Sequence, residues 1–320
     1  MKEILVAMEL TEAQRSLLEQ QMPDAHYTYL PTPEATDEQL AAAQILLGNL
    51  PPALVAKARR LEWFQLNSSG ADMYMKPGIL PEGIRLTSAT GSYGLAISEH
   101  LLAQTLFLLK KLHLYHRNQM QALWRDEGPI DSIDGSKTLV VGLGDIGSAY
   151  GQKMAMLGST VYGIRRHRAE APSWLAGLYT PDQLDELLPQ MDIVALALPN
   201  TPETQHLFNA ERLAKMKPGS ILLNVGRGTA VDCMALCDAL HSGPMAGAAL
   251  DVTDPEPLPA DHPLWQCENL LLTPHISRQH QLKQTQDRIV ALCARNMAHF
   301  IKEEPLENPV DFDTGYRKFQ

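Results

Sequence analysis

Residues Val140-Val141-Gly142-Leu143-Gly144-Asp145-Ile146-Gly147 set three glycines in G-x-G-x-x-G spacing, directly after the apolar run Thr138-Leu139-Val140-Val141. The stretch that follows, Ser148 to Leu157, reads as a helix. Strand, glycine turn and helix in that order leave few folds open, because each glycine then has a backbone task. Gly142 permits a tight turn, Gly144 leaves room for a pyrophosphate to approach the backbone, and Gly147 lets the helix lie close on the strand. The helix start offers unpaired N–H groups and a positive dipole end to phosphate. A glycine-rich turn between any strand and helix is the plainer reading, and the flanking elements favour dinucleotide binding over it.

The same alternation runs through the rest of the chain, and 320 residues suggest two domains. Strands are expected at 4–8, 43–47 and 61–66, with helices at 12–20, opened by Thr11 as N-cap, and at 52–60. Residues 98–120 read as one long helix on the leucines 101, 102, 106, 108, 109 and 112, expected to bridge two domains. From Lys137 six strands are expected, at 138–142, 160–164, 192–198, 220–225, 245–251 and 269–273. Helices are expected between them at about 146–157, 181–188, 209–216 and 231–241. A last helix, about 281–301, is expected to return to the first domain. The fold class is α/β, with a doubly wound parallel-sheet Rossmann domain (99–284) inserted in a smaller flavodoxin-like domain (1–98 and 285–320).

A composition of 45% hydrophobic and 20% charged residues suits a soluble globular protein with a large core. The net charge of −10, without a basic block, argues against a nucleic-acid partner. Cys233, Cys237, Cys267 and Cys293 are too few and scattered for a disulfide scaffold. Cys233 and Cys237 share one helix face without a second ligand pair, so buried core thiols are expected and no metal site. The N-terminus reads as a first strand rather than a signal peptide, and no segment approaches the ~20 apolar residues of a membrane span, so a cytoplasmic protein is expected.

Cofactor choice is read where the second strand of the nucleotide fold ends, at Ile164-Arg165-Arg166-His167-Arg168. A carboxylate there would hydrogen-bond the ribose diol of NAD, and none is present. Arg165 takes its place, followed by Arg166 and Arg168, and guanidinium forks suit a 2′-phosphate. NADP(H) is therefore preferred, with NAD(H) as the alternative and a solvated basic strand end as the plain reading.

Three polar residues end later strands: Arg227 in Asn224-Val225-Gly226-Arg227-Gly228, Glu256 between Pro255 and Pro257, and His275 after Thr273-Pro274. Singly they read as an anion partner, a turn carboxylate and a surface or core histidine. Together they lie where open α/β sheets collect ligands. Reduction of a 2-oxo acid needs a proton for the carbonyl oxygen and a cation for the carboxylate. Histidine gives the proton near neutral pH, a neighbouring carboxylate holds its ring, and arginine grips the carboxylate and polarises the carbonyl.

With these residues in place, the chain resembles the D-isomer-specific 2-hydroxyacid dehydrogenase family, which includes phosphoglycerate dehydrogenases and glyoxylate/hydroxypyruvate reductases. The resemblance is carried by Ser68-Ser69-Gly70-Ala71-Asp72, Ser98-Glu99-His100, the glycine fingerprint, Leu198-Pro199-Asn200-Thr201-Pro202-Glu203-Thr204 and Met216-Lys217-Pro218-Gly219. It continues through Asn224 to Gly228, Leu250-Asp251-Val252, Glu256-Pro257-Leu258-Pro259 and Thr273-Pro274-His275-Ile276. It implies that Arg227 binds and polarises substrate, that Glu256 supports His275 and that His275 is the general acid/base. Backbone N–H groups of Ser69 and Gly70 would hold the substrate carboxylate. Cofactor contacts are implied at Gly142, Gly144, Asp145, Ile146, Gly147, Leu198, Pro199, Thr204, Val225, Gly226, Asp251 and Ser277, with Asp251 on the nicotinamide carboxamide. A homodimer through the cofactor domain is implied too.

The departures are Arg165 in place of the acidic residue and the polar run Ser277-Arg278-Gln279-His280. Glu256 argues against the formate dehydrogenase branch, and a regulatory C-terminal domain with serine feedback is not expected. The expectation is an NADPH-preferring reductase of small 2-oxo acids such as glyoxylate, hydroxypyruvate or a branched 2-oxo acid. Phosphonate or phosphoglycerate oxidation is a variant within the family. A cofactor-sensing scaffold without turnover is the alternative from another class.

Overall fold

In the computed structural model, residues 1–30, 34–166, 170–278, 282–313 and 315–317 are described. His167, Arg168, Gln279 and His280, named above, lie outside them. The chain divides into two compact units, one of Met1–Tyr93 with His280–Gln320 and one of Gly94–Gln279.

The first unit alternates β1 (Glu3–Val6), α1 (Glu12–Glu19), β2 (His26–Tyr29), α2 (Asp37–Ala42), β3 (Ile45–Leu47), α3 (Pro52–Val55), β4 (Trp63–Gln65) and β5 (Arg85–Thr87). Its sheet has the order β2-β1-β3-β4-β5 and every pairing is parallel, the flavodoxin-like arrangement. The inner strands are apolar because both faces are covered: β3 and β4 are buried throughout. Thr11 and Gln14 close a capping box at the start of α1. The helix Lys283–Ile301 packs on α1, with Gln14 donating to Asp287 at 2.7 Å. Its Phe300 stacks on Trp63, centroids 5.4 Å apart. Helix α3 is shorter than the expected 52–60, since the chain turns at residues 56 and 57 and heads into β4. Strands β2 and β5 and helix α2 were not anticipated.

The second unit opens with α4 (Gly94–Leu109) and α5 (Leu112–Met120). The single helix expected over 98–120 is thus two, because Lys111 adopts the left-handed conformation at φ +53° and breaks the ladder. Then follow β6 (Lys137–Val141), α6 (Asp145–Met156), β7 (Thr160–Ile164), β8 (Gly177–Tyr179), α7 (Leu184–Leu187), β9 (Ile193–Leu196), α8 (Ala210–Ala214), β10 (Ile221–Asn224), α9 (Cys233–Ser242), β11 (Gly247–Leu250) and β12 (Leu270–Leu272). The sheet runs β12-β11-β10-β9-β6-β7-β8, all parallel. This is the doubly wound order with a seventh strand, and β8 is the strand the sequence reading missed. Strand order reverses between β6 and β9, and there the glycine turn lies. Among the described residues no helix is long and apolar enough to cross a membrane.

Candidate active site

At the reversal point two of the three glycines, Gly142 and Gly147, are forced by close packing. Gly142 has φ +102°, and a Cβ on it would come within 2.5 Å of the Ala197 carbonyl oxygen. A Cβ on Gly147 would come within 2.1 Å of the Gly142 oxygen and 2.9 Å of Val140 Cγ1, so α6 can approach β6 only as glycine. A Cβ on Gly144 would meet nothing within 4 Å. The open cradle therefore sits at the N-cap of a 12-residue helix, where backbone N–H groups and the helix dipole favour an anion. Asp145 in its first turn is engaged elsewhere: its carboxylate accepts from the Gly94 N–H at 2.7 Å and anchors α4.

Around this cradle the strand ends are tied together. Thr204 accepts from the Thr201 N–H at 2.9 Å and donates to the Pro199 carbonyl at 2.8 Å, closing the loop after β9. The Gly226 backbone passes so near Leu198 that a Cβ would lie 2.6 Å from its backbone atoms. Val225 donates to the Leu196 carbonyl at 3.1 Å. At the end of β7, Arg165 is half-buried and Arg166 exposed. The Glu203 carboxyl is held below its usual range by a hydrogen bond with Thr201 first, with Arg166 contributing.

The turn carrying Arg227 is built by Asn224, which is fully buried. Its amide donates to the Arg227 carbonyl at 2.9 Å and its oxygen accepts from Gly226 N–H at 3.0 Å. Gly228 then lies against the Thr253 carbonyl, where a Cβ would be 1.9 Å away, so this turn packs on the segment leading to Glu256. Glu256 Oε1 is 2.6 Å from His275 Nδ1, an ion pair whenever the ring is protonated. The structure thus brings two of the three anticipated residues into direct contact and sets Arg227 at the end of the neighbouring strand. The His275 side chain is 25% exposed, open enough to meet a ligand.

What aims His275 is Asp251. This carboxylate, 1% exposed, accepts from the Thr273 hydroxyl at 2.6 Å and from the Ile276 and Ser277 N–H groups at 3.0 Å, while its backbone carbonyl accepts from His275 N–H at 2.8 Å. The structure gives Asp251 this bracing task; its implied contact with the cofactor is a separate matter. His100 from α4 reaches the same group, with Nε2 3.7 Å from Asp251 Oδ1, 3.3 Å from Thr273 Oγ1 and 2.9 Å from Gln104 Nε2. Burial pushes the His100 imidazole below its ordinary pKa, against the opposing pull of Asp251. No role for His100, Gln104 or Asn224 was read from the sequence, although His100 and Asn224 lie in segments that carry the resemblance.

In the first unit the loop after β4 carries Ser69 and Gly70. Asn67 N–H donates to Asn49 Oδ1 at 3.1 Å and Ser68 donates to the Gly70 carbonyl at 2.8 Å, so the loop is held by one of its own side chains and by Asn49 from the loop after β3.

The sequence model described as D-isomer specific 2-hydroxyacid dehydrogenase, NAD binding domain, matches residues 102–277. The chain belongs to that family. A glyoxylate/hydroxypyruvate reductase B of Pectobacterium carotovorum is 31% identical over 304 residues, 90% of this chain and 92% of that one. The crystal structure of a D-isomer specific 2-hydroxyacid dehydrogenase family protein of Aeromonas salmonicida superposes with TM-score 0.86 at 33% identity, covering 98% and 99% of the two chains. A D-isomer specific 2-hydroxyacid dehydrogenase of Xanthobacter autotrophicus, solved with NADPH and MES, gives TM-score 0.81 at 27% identity, covering 98% and 99%. This D-isomer specific 2-hydroxyacid dehydrogenase is an NAD(P)-dependent oxidoreductase acting on the CH–OH group of small hydroxy acids.

Proposed function

We propose that the enzyme works as an NADPH-preferring reductase of small 2-oxo acids of the glyoxylate or hydroxypyruvate type. The 2.6 Å pair of His275 and Glu256 carries this reading, because it places a proton donor beside a carboxylate that holds and orients its ring. The nicotinamide, when bound, supplies the hydride. The open backbone at Gly144 and the N-terminus of α6 would hold the pyrophosphate, with Arg165 and Arg166 on a 2′-phosphate. Leu198, Pro199, Thr204, Val225, Gly226 and Ser277 would line the groove, and Asp251 would meet the carboxamide.

His275 then delivers a proton to the carbonyl oxygen, while Glu256 stabilises the imidazolium that donates it. Arg227 polarises that carbonyl and grips the substrate carboxylate, with the N–H groups of Ser69 and Gly70 as its further partners. The reductases named among the relatives and the NADPH complex support the substrate class and the cofactor choice. We also propose a homodimer formed through the second unit.

The test is oxidation of NADPH and of NADH by the purified enzyme across a panel of 2-oxo acids, with His275→Ala alongside. Faster turnover with NADPH, and a loss of about 10²–10⁴-fold in the variant, are expected. NADH preference would discard the account of Arg165 and Arg166. Unchanged turnover in His275→Ala would discard the mechanism. Cofactor binding without turnover on any 2-oxo acid would favour the scaffold instead.

A further inference from the structure

The cysteines do not pair as their spacing suggests. Cys237 lies with Cys267, 30 residues on, at an Sγ–Sγ distance of 3.4 Å, and both are free and buried. His241, one helical turn beyond Cys237 on α9, puts Nδ1 3.6 Å from Cys237 Sγ and 3.9 Å from Cys267 Sγ. Cys233 stands apart in the first turn of α9, where it meets the Asp254 backbone.

We propose that Cys237, His241 and Cys267 form a binding site for a thiophilic divalent cation, with zinc as its natural occupant. With metal–sulfur bonds of about 2.3 Å and metal–nitrogen bonds of about 2.0–2.1 Å, a tetrahedral site sets neighbouring donors about 3.5–3.8 Å apart. The three observed separations bracket that range. Two soft sulfurs and an imidazole are the donor set zinc favours over harder cations. Charge also fits: two thiolates and a neutral imidazole cancel a divalent ion, and a neutral cluster suits a core shared with Leu236, Leu240 and Leu264.

Binding releases one proton from each thiol. His241 Nδ1 lies 2.8 Å from the Cys237 carbonyl and donates to it. Ligation exchanges that bond for the metal and moves the ring proton to Nε2. His241 is exposed and lines a cavity of about 440 Å³ with Leu240, Glu268 and Asn269, so the imidazole is the donor of the three that faces solvent. The site joins the end of α9 to the turn before β12, at the opposite end of the strands from His275. It is accordingly a structural clamp.

The experiment uses the untagged full chain, stripped of metal and kept reduced with a phosphine. Cobalt(II) serves as an optical probe and zinc as its competitor. One cobalt per chain is expected, with sulfur-to-cobalt charge-transfer absorption and the strong visible bands of tetrahedral coordination, displaced by zinc. Zinc should raise the unfolding temperature. His241→Ala, an exposed change that spares the core, should weaken binding by at least about tenfold. Cys267→Ser should abolish the charge-transfer band and Cys233→Ser should leave it. Absence of stoichiometric uptake, or a band lost in Cys233→Ser and kept in Cys267→Ser, overturns the site. So does a reduced chain that ignores cobalt but loses two thiols on air oxidation, which would make the pair a redox couple.

Discussion

His275 has φ +53°, in the left-handed region that costs a residue with a side chain about 1–2 kcal/mol. Three hydrogen bonds to the Asp251 carboxylate and one to its carbonyl offset that strain and fix where the imidazole points. That Glu256 and His275 would lie near one another past the strand ends, with Arg227 after the neighbouring strand, was legible in the sequence, because each follows an apolar run. The bracing of Asp251 was not, since its partners lie 22–26 residues on and meet it only when β11 and β12 pair. His100 adds a pH dependence to the same cluster. Its folded pKa lies below the unfolded 6.5, so the native chain binds fewer protons than the unfolded chain as acidity rises. Its contribution to stability is therefore full above pH 6.5 and is lost as pH falls from there through the folded pKa. We predict that His100→Gln flattens the decline of unfolding temperature between about pH 7.5 and about pH 5 relative to the parent chain. Among the described residues the other half-buried histidine with a lowered pKa, His113, is common to both proteins and cancels in the comparison. Parallel curves would mean that His100 does not govern this stability.

The glycine turn between β6 and α6 separates folding from binding within one element. Gly147→Ala would press a methyl into backbone 2.1 Å away, and overpacking of that kind costs about 1–3 kcal/mol, read by urea unfolding. Gly144→Ala meets nothing within 4 Å in the chain itself, so the fold should keep its stability while the cradle is filled. Its NADPH affinity, measured by fluorescence titration, should fall by at least about tenfold, the equivalent of about 1.4 kcal/mol. Unaltered affinity would put the pyrophosphate elsewhere. Other elements were legible to different degrees, for a physical reason. The buried strands β1, β3, β4, β6, β9, β10 and β11 are apolar runs forced by cover on both faces. Within the two parallel sheets the three unanticipated strands, β2, β5 and β8, all lie at sheet edges, are three or four residues long and are partly exposed. An edge strand need not carry an apolar run, and these three lack the one that announces the edge strand β12. The break at Lys111 was hidden likewise, because the leucines on either side keep helical spacing across a single left-handed residue.

At the scale of the whole molecule, a net charge of −10 opposes self-association, so an apolar surface is needed to overcome it. The second unit has one. Leu112, Met120, Leu123, Trp124 and Ile130 are all exposed within 19 residues of chain, and Trp124 is exposed to 105% of its reference area. A cluster of large apolar side chains at that exposure is typical of an interaction surface. Tryptophan is also the side chain whose removal most often costs an interface 2 kcal/mol or more. If the proposed homodimer forms here, sedimentation velocity at micromolar concentration should give a dimer. Trp124→Glu should raise the dissociation constant by about 30-fold or more, because it removes the apolar anchor and sets like charges across the two-fold axis. The fold should be unaffected, since Trp124 Nε1 and ring lie outside the core, and equal unfolding temperatures at low protein concentration would verify that. A parent chain that sediments as a monomer would end the dimer proposal. A variant that stays dimeric with unchanged affinity would move the interface away from this segment while leaving the dimer itself in place.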